Sequence, residues 1–152
     1  MSETIVIKRN KLLIEKYPWL LPRNRWTDEV IEDYDYTYTE LDDMPYGWRV
    51  AFGEQMCEEL QKALDMMDPE EAKKFRVVQI KEKYGSLRFY PNWVTDQIAE
   101  ILYKYSVMSE HICISCGAPA TKMSLGWICP WCDSCASKLH NENFKNIIID
   151  KK

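Results

Sequence analysis

The stretch CISCGAPATKMSLGWICPWCDSC, residues 113–135, holds five of the six cysteines of the chain. Cys113 and Cys116 form one Cys-x2-Cys pair, Cys132 and Cys135 form a second, and fifteen residues separate the two pairs. This spacing is typical of a four-cysteine zinc site. A gap of two residues lets both sulfurs of a pair reach one ion at about 2.3 Å, and two pairs complete a tetrahedron. The stretch therefore predicts one structural Zn²⁺ ion.

The residues leave other roles for these thiols open. Cys129 lies three residues before Cys132 and is a candidate substitute for it as a ligand. Iron–sulfur clusters use the same type of ligand, and residues 129–132 have the Cys-x-x-Cys form of disulfide-exchange motifs. The overlap of that motif with the second zinc pair argues against an exchange role. A disulfide framework is not expected, because the sequence shows no apolar leader and Cys57 stands alone in an amphipathic segment. We expect a cytoplasmic protein.

The residues around the cysteines indicate the shape of the module. Gly117 follows the first pair, where a positive φ lets amide groups approach the second sulfur. Residues 121–128 suit a short hairpin around Leu125-Gly126, and Asp133 suits the start of a helix. Knuckle, hairpin and helix is the order of a treble-clef zinc finger. A zinc ribbon, which would end in a strand, is the alternative.

Composition bounds the class of protein. The chain has 152 residues, of which 46% are hydrophobic, so it is able to bury a core. It has no apolar run long enough to span a membrane, and we expect no membrane partner. The net charge of −4 disfavours general nucleic-acid binding, which relies on a surplus of Lys and Arg.

The charges lie in blocks along the chain. Residues 28–44 carry eight acidic groups and no basic group, whereas residues 72–91 carry six basic groups and one acidic group. Blocks of opposite sign either pair within a fold or present opposed faces to partners. We expect them to compensate each other within the fold.

These patterns predict an α+β fold with two parts. Residues 1–110 are expected to form a core with a small antiparallel sheet, and residues 111–152 a zinc module packed on that core. Two amphipathic helices are predicted over 48–67 and 94–111, because apolar residues recur there at helical intervals.

The N-terminal region carries weaker signals. Residues 4–7 have strand character, and residues 8–16 have helical spacing. Tyr34, Tyr36 and Tyr38 alternate with polar residues, which predicts a strand with one aromatic face.

An aromatic segment precedes that tyrosine run. Its two prolines at 18 and 22 exclude a continuous helix. We expect the segment to pack on the core, because aromatic burial is a common stabiliser. The alternative is an exposed interaction arm formed by Trp19 and Trp26 with Arg23 and Arg25.

Residues 75–83 and 86–90 predict a β-hairpin with Tyr84-Gly85 as its turn. That register places Ile80 opposite Phe89 on an apolar face, and Lys81 opposite Arg88 on the other face. Two like charges opposite each other destabilise a hairpin unless something negative lies over them. An anionic ligand, a phosphate or the acidic run 28–44 would serve, and the acidic run is the simplest.

The string VQIKEKYGSLRFY, residues 78–90, is followed by a helix, a Cys-x2-Cys-Gly pair and a Gly-Trp before the second pair. Over residues 75–136 this arrangement resembles a group of uncharacterised bacterial and phage-encoded proteins. The resemblance implies zinc binding and a prophage or mobile-element setting, and it implies no activity. Cys129 departs from the pattern.

Catalysis finds little support in the sequence. It contains no phosphate loop, nucleophile elbow, metalloprotease helix or deaminase signature. We therefore expect a zinc-stabilised binding protein that contacts a host or phage protein, such as an inhibitor of host defence, or a small anionic ligand. A nucleic-acid-binding zinc finger is the alternative, and a cryptic enzyme the second alternative. The expected binding surface consists of Arg76, Lys81, Lys83, Tyr84, Arg88 and Tyr90 on the hairpin, with Trp19, Arg23, Arg25 and Trp26 on the arm.

Overall fold

A computed structural model describes residues 4–24 and 26–147. Its helices are α1 (Ile5–Lys16), α2 (Tyr46–Trp48), α3 (Glu54–Asp65), α4 (Pro69–Ala72), α5 (Asp96–Ser109) and α6 (Asp133–Ala136). Its strands are β1 (Val77–Lys83), β2 (Ser86–Pro91), β3 (Lys122–Ser124), β4 (Pro130–Trp131) and β5 (Phe144–Asn146). Short 3-10 helices cover Pro18–Leu20 and Glu40–Asp43.

The predicted α+β class is confirmed, but the strands form two antiparallel sheets and not one. Strands β1 and β2 form a hairpin in the core, and the other three strands pair in the order β4-β3-β5. The last of these strands, β5, therefore belongs to the zinc module and pairs with β3.

The strand expected over residues 4–7 is wrong. Thr4 has extended backbone, and its hydroxyl accepts a hydrogen bond from the Ile7 N–H at 3.2 Å. A threonine in this role caps a helix by satisfying an N–H group that has no partner within the helix. The helix predicted from residue 8 thus begins at Ile5.

The strand expected in the tyrosine run is also wrong. The Tyr34 ring centroid lies 4.8 Å from that of Tyr36 and 5.4 Å from that of Tyr38, so the rings do form one cluster. A turn brings them together, because Asp33 and Tyr36 have positive φ and the Asp35 carboxylate accepts a hydrogen bond from the Thr37 N–H. Asp side chains favour such turns over strands.

The core forms around the two predicted amphipathic helices. A π-helical turn over Arg49–Gly53 joins α2 to α3, which gives one helical segment across most of the predicted range 48–67. Helix α3 packs on α5, and the ring of Phe52 stacks on that of Tyr105 with centroids 5.3 Å apart. Buried apolar side chains from both helices and from the hairpin fill the interior, among them Trp48, Met56, Cys57, Leu60, Phe75, Leu87 and Ile98.

The hairpin has the predicted register. Ile80 pairs with Phe89 and Lys81 pairs with Arg88. Tyr84 and Gly85 have φ values of 53° and 84°, as a two-residue turn with positive φ at both positions requires. This geometry leaves Lys81 and Arg88 on the outer face of the hairpin.

A close backbone contact joins the core to the zinc module. The Gly47 N–H donates to the Ile114 carbonyl at 2.9 Å, and the indole N–H of Trp48 donates to the Ile112 carbonyl at 2.9 Å. A Cβ atom on Gly47 would lie 2.6 Å from the Ile114 carbonyl carbon. Only glycine therefore fits at position 47 without displacing the backbone.

Within the described part of the chain, none of the helices combines the length and the apolarity that a membrane crossing needs.

Candidate metal centre

The first cysteine pair lies on a tight turn. The Gly117 N–H donates to the Cys113 carbonyl at 3.0 Å, and Gly117 has the expected positive φ of 86°. The Cys113 N–H donates in turn to the Ala118 carbonyl at 2.7 Å. These two bonds close the loop, so both sulfurs of the pair lie on the same side of it.

The second pair lies at the start of α6. Cys132 is the N-terminal cap of this short helix, and its sulfur accepts a hydrogen bond from the Cys135 N–H at 3.4 Å. Strand β4 leads directly into Cys132 and pairs with β3. The order knuckle, hairpin and helix is the one that the sequence predicts, although α6 is short and β5 adds a third strand.

The four predicted ligands form one group. The sulfurs of Cys113, Cys116, Cys132 and Cys135 all lie within 4.8 Å of one another. The sulfurs of Cys116 and Cys132 are 3.6 Å apart, close to the about 3.8 Å between thiolates that bind one tetrahedral Zn²⁺ at about 2.3 Å. This arrangement fits a single structural zinc ion.

Backbone amides favour the thiolate form of Cys113. Burial would raise the pKa of this thiol, but N–H groups of Cys132, Cys116 and Ser115 outweigh it and lower the pKa to about 7. Hydrogen bonds from amides stabilise a thiolate because they compensate its negative charge. The loop thus favours the protonation state that binds zinc.

Cys129 does not belong to this group. Its sulfur lies 3.8 Å from the Glu82 Oε1 atom of the core hairpin. Burial raises the pKa of the Cys129 thiol to about 12, and the negative charges of Glu82 and Glu142 add to the effect. The structure therefore places Cys129 as a neutral thiol between the module and the core, and not as a substitute ligand.

The predicted hairpin residues form a second candidate site, which we call the basic face: Lys81, Lys83, Tyr84, Arg88 and Tyr90. Lys81 Nζ lies 5.9 Å from the Tyr90 ring centroid, and Lys83 Nζ lies 5.8 Å from that of Tyr84. The Tyr84 side chain is 71% exposed. These residues provide cationic groups and aromatic rings on one side of the sheet.

Asp28 and Asp42 of the acidic run form salt bridges with cations that lie outside the basic face. The 3-10 helix Glu40–Asp43 lies beside β1, but the Asp42 carboxylate pairs with Arg49 and Arg9. Asp28 pairs with Arg76 at 3.4 Å. Among the described residues the three cations of the basic face take part in no salt bridge. The expected direct compensation is therefore found for Arg76 alone among the hairpin cations.

The residues of the expected arm differ in burial. Trp19 is only 4% exposed and packs on Phe75, whereas Trp26 is 92% exposed. Trp19, Arg23 and Arg76 line one cavity of about 430 Å³. Arg25 lies outside the described residues. The segment thus packs on the core up to Arg23.

Sequence reasoning missed a contact between the two sheets. The Trp127 indole N–H donates to the Glu82 Oε1 atom at 2.8 Å. The turn at Gly85 also lies against Ile128, because a Cβ there would be 3.3 Å from an Ile128 methyl carbon. The only sequence signal was an apolar loop after Gly126, which does not reveal its partner.

Comparison of the chain with protein-family models, curated proteins and solved structures found no match.

Proposed function

We propose that the chain is a non-catalytic binding protein whose basic face contacts an acidic segment of a partner protein. The observation that supports this proposal is the set of three cations, Lys81, Lys83 and Arg88, that lack a salt bridge among the described residues. In the part of the chain that the structure describes, Lys81 and Lys83 contact only the rings of Tyr90 and Tyr84, so their charges are not neutralised there and can pair with carboxylates of another molecule.

The zinc centre has a structural role in this proposal. Four thiolates fill a tetrahedral zinc ion, which leaves no position for a reactive water molecule. The centre holds the 125–128 loop against Gly85 and Glu82, and so it supports the end of the hairpin. Catalysis is no part of the proposed function.

The basic face suits an acidic peptide for two reasons. Opposed cations such as Lys81 and Arg88 attract a carboxylate-rich segment and raise its association rate. Tyr84 and Tyr90 provide exposed ring area, and tyrosine is enriched where interfaces gain most of their binding energy. Apolar and aromatic side chains beside the carboxylates would therefore strengthen the contact.

The resemblance of residues 75–136 to bacterial and phage-encoded proteins suggests the setting. In this proposal the chain is a cytoplasmic accessory factor of a phage or mobile element. Its partner is a host protein, and inhibition of host defence is the expected consequence of binding.

Nucleic-acid binding is the second candidate function. Tyr84, 71% exposed and beside Lys83, is the observation that favours it, because a base stacks on an exposed ring while a cation contacts its phosphate. The net charge of −4 argues against it.

A charge-reversal experiment tests the proposed function. The variant Lys81→Glu with Arg88→Glu is compared with the control Lys8→Glu with Lys62→Glu, which changes the same charge at exposed sites on α1 and α3. Each zinc-loaded protein is immobilised and exposed to bacterial lysate at low and high salt. We expect the wild type and the control to retain a stoichiometric, salt-sensitive protein, and the hairpin variant to bind it at least about tenfold more weakly.

A partner retained equally by the hairpin variant would contradict the proposal. Titration with single-stranded and duplex DNA or RNA separates the second candidate. Salt-dependent nucleic-acid binding that the hairpin variant loses, with no protein retained, would favour that candidate instead.

A further inference from the structure

A cavity of about 330 Å³ lies beside the zinc centre, on the side of Cys129. The rings of Trp127 and Trp131 line it together with Ile114 and Leu139. This volume is near the lower end of about 300–1,000 Å³ for small-molecule sites. The cavity is therefore suited to a compact group and not to an extended ligand.

Hydrogen bonds fix both indole rings. The Trp127 N–H donates to the Glu82 Oε1 atom at 2.8 Å, and the Trp131 N–H donates to the Ser124 hydroxyl at 3.0 Å. Each indole N–H thus has an acceptor, and both indoles line the cavity. Trp127 is 71% exposed, so its ring is restrained by its hydrogen bond more than by packing. Restraint of the rings lowers the entropy lost on binding.

The cavity wall is almost wholly apolar, and Glu142 is the acidic residue that lines it. Glu142 is half-buried, and its Oε2 atom would lie 3.3 Å from a Cβ on Gly126. Among the described residues its carboxylate takes part in no salt bridge or hydrogen bond. Burial raises the pKa of the Cys129 thiol, which also lines the cavity, and the negative charges of Glu82 and Glu142 add to the effect.

We propose that this cavity binds a trimethylammonium group, held between Trp127 and Trp131 with Glu142 as its counter-ion. The negative face of an aromatic ring attracts a cation, and this attraction is strongest for tryptophan and for cations that are easily desolvated. A methylated ammonium has no N–H donor that needs an acceptor, so the apolar walls satisfy it. A neutral apolar group of the same size would leave the half-buried carboxylate without a partner.

Two sources carry this group: a free choline-like molecule and a trimethyllysine side chain of a protein. Both place the same cation in the cavity. A lysine peptide would add contacts along the surface outside it, whereas choline would not. Their relative affinities therefore identify the source.

The test uses the full-length, zinc-loaded chain and follows tryptophan fluorescence and calorimetric heat. Choline is compared with 3,3-dimethyl-1-butanol, which has the same shape without the charge. We expect saturable binding of choline and binding of the neutral alcohol at least about tenfold weaker. Equal binding of the two, or no saturable response to choline or to a trimethyllysine peptide at millimolar concentrations, would overturn the proposal.

Variants separate the site from the general surface. Glu142→Gln and Trp127→Ala are expected to weaken choline binding about fivefold or more, because they remove the counter-ion and one ring. The controls are Glu15→Gln and Trp26→Ala, which change an exposed carboxylate and a 92% exposed indole elsewhere. Native mass must show one zinc in every variant. Unchanged affinity in both cavity variants would exclude this site.

Binding of methylated and unmethylated peptides then identifies the source of the trimethylammonium group. A trimethyllysine peptide that binds more tightly than choline, while its unmodified lysine form binds more weakly, supports a protein source. Choline binding as tight as that of the peptide supports a free small molecule. A peptide that binds equally with and without methylation contradicts the proposed cation chemistry.

Discussion

The core and the zinc module differ in what holds each of them together. The core buries large side chains such as Trp48, Leu60 and Tyr105 without exposure to solvent. The module has strands of two or three residues, and its buried side chains are small, chiefly Cys113, Ala120, Cys129 and Ala136. Apolar burial stabilises a fold roughly in proportion to its area. We therefore expect the module to depend on a bound metal ion more than the core does.

The two regions nevertheless meet through backbone atoms. Gly47 contacts the backbone of Cys113 and Ile114 in the knuckle. Gly117, also in the knuckle, contacts Gly47 in turn, because a Cβ on Gly117 would lie 2.7 Å from the Gly47 carbonyl oxygen. Backbone contacts of this kind cannot adjust as a flexible side chain can. Backbone contacts at Gly47 and Gly117 thus fix the position of the zinc module on the core.

Metal removal should separate the two regions and has the largest expected effect. Chelation, or Cys113→Ser, removes a zinc ion whose apparent binding free energy is about 10–16 kcal/mol in small zinc folds. We expect β3, β4 and β5 to lose hydrogen-exchange protection while α3 and α5 keep it. Native mass and hydrogen exchange resolved by peptide measure both outcomes.

Cys129→Ser serves as the control for that experiment, since its sulfur lies outside the group of four. It should keep one zinc. Loss of protection throughout the core on chelation would show that the two regions form one cooperative unit.

Gly47→Ala should strain the contact between the regions without touching a zinc ligand. The new methyl group would lie 2.6 Å from the Ile114 carbonyl carbon, and the backbone would have to move. We expect destabilisation of about 3 kcal/mol, at the upper end for overpacking. Urea unfolding monitored by circular dichroism provides the measurement.

Gly53→Ala is the matched control, because its nearest neighbour is a flexible carbon of Arg49 at 3.2 Å. Replacing a helical glycine by alanine stabilises a helix by roughly 0.5–1 kcal/mol, which offsets a small steric adjustment. A similar loss of stability in both variants would show that the contact at Gly47 is not special.

The same contrast explains which features the sequence revealed. The spacing of Cys113, Cys116, Cys132 and Cys135 predicted the metal ligands, because a zinc ion restricts the positions of its ligands along the chain. The hairpin register followed from alternation and from the Tyr84-Gly85 turn, which are also local signals. The helices followed from apolar periodicity.

The wrong predictions come from patterns that two structures share. Ile5, Val6 and Ile7 are β-branched and favour strands, but the Thr4 cap and the following residues favour a helix. The alternation of tyrosines is compatible with a strand, but Asp33 and Tyr36 have positive φ, which a strand does not allow.

Side-chain contacts between residues distant in sequence could not be predicted from the sequence. The Trp127 indole and the Glu82 carboxylate are 45 positions apart, and no periodicity relates them. The cavity beside Cys129 depends on that contact, so it became visible only in the folded chain.

Trp48→Phe tests a side-chain hydrogen bond between the core and the module, with a smaller expected effect. Phenylalanine keeps most of the buried ring but leaves the Ile112 carbonyl without its donor. An unsatisfied buried acceptor destabilises by about 1–3 kcal/mol. We expect unfolding at lower urea concentration and faster zinc loss to a chelator. A variant that loses stability but releases zinc at the wild-type rate would show that this bond serves the core alone.

The smallest expected effect concerns a polar contact that lies entirely within the core. Burial would raise the pKa of Glu59, but hydrogen bonds from Lys104 and Tyr105 outweigh it and lower the pKa below its ordinary value. A carboxyl group with a lowered pKa stabilises the fold above its unfolded pKa, and this contribution is lost as the pH falls through the folded pKa. Glu59→Gln should therefore be less stable than the wild type near neutral pH, by at most about 1 kcal/mol because the pair is partly exposed.

The difference between Glu59→Gln and the wild type should shrink as the pH falls below the ordinary glutamate value, since the wild-type carboxyl group then becomes neutral too. Thermal unfolding between neutral and acidic pH measures it. Glu58→Gln is the control, because Glu58 and Lys62 are both exposed and such pairs contribute little. Equal pH dependence in the two variants would show that Glu59 does not contribute to the acid sensitivity of the core.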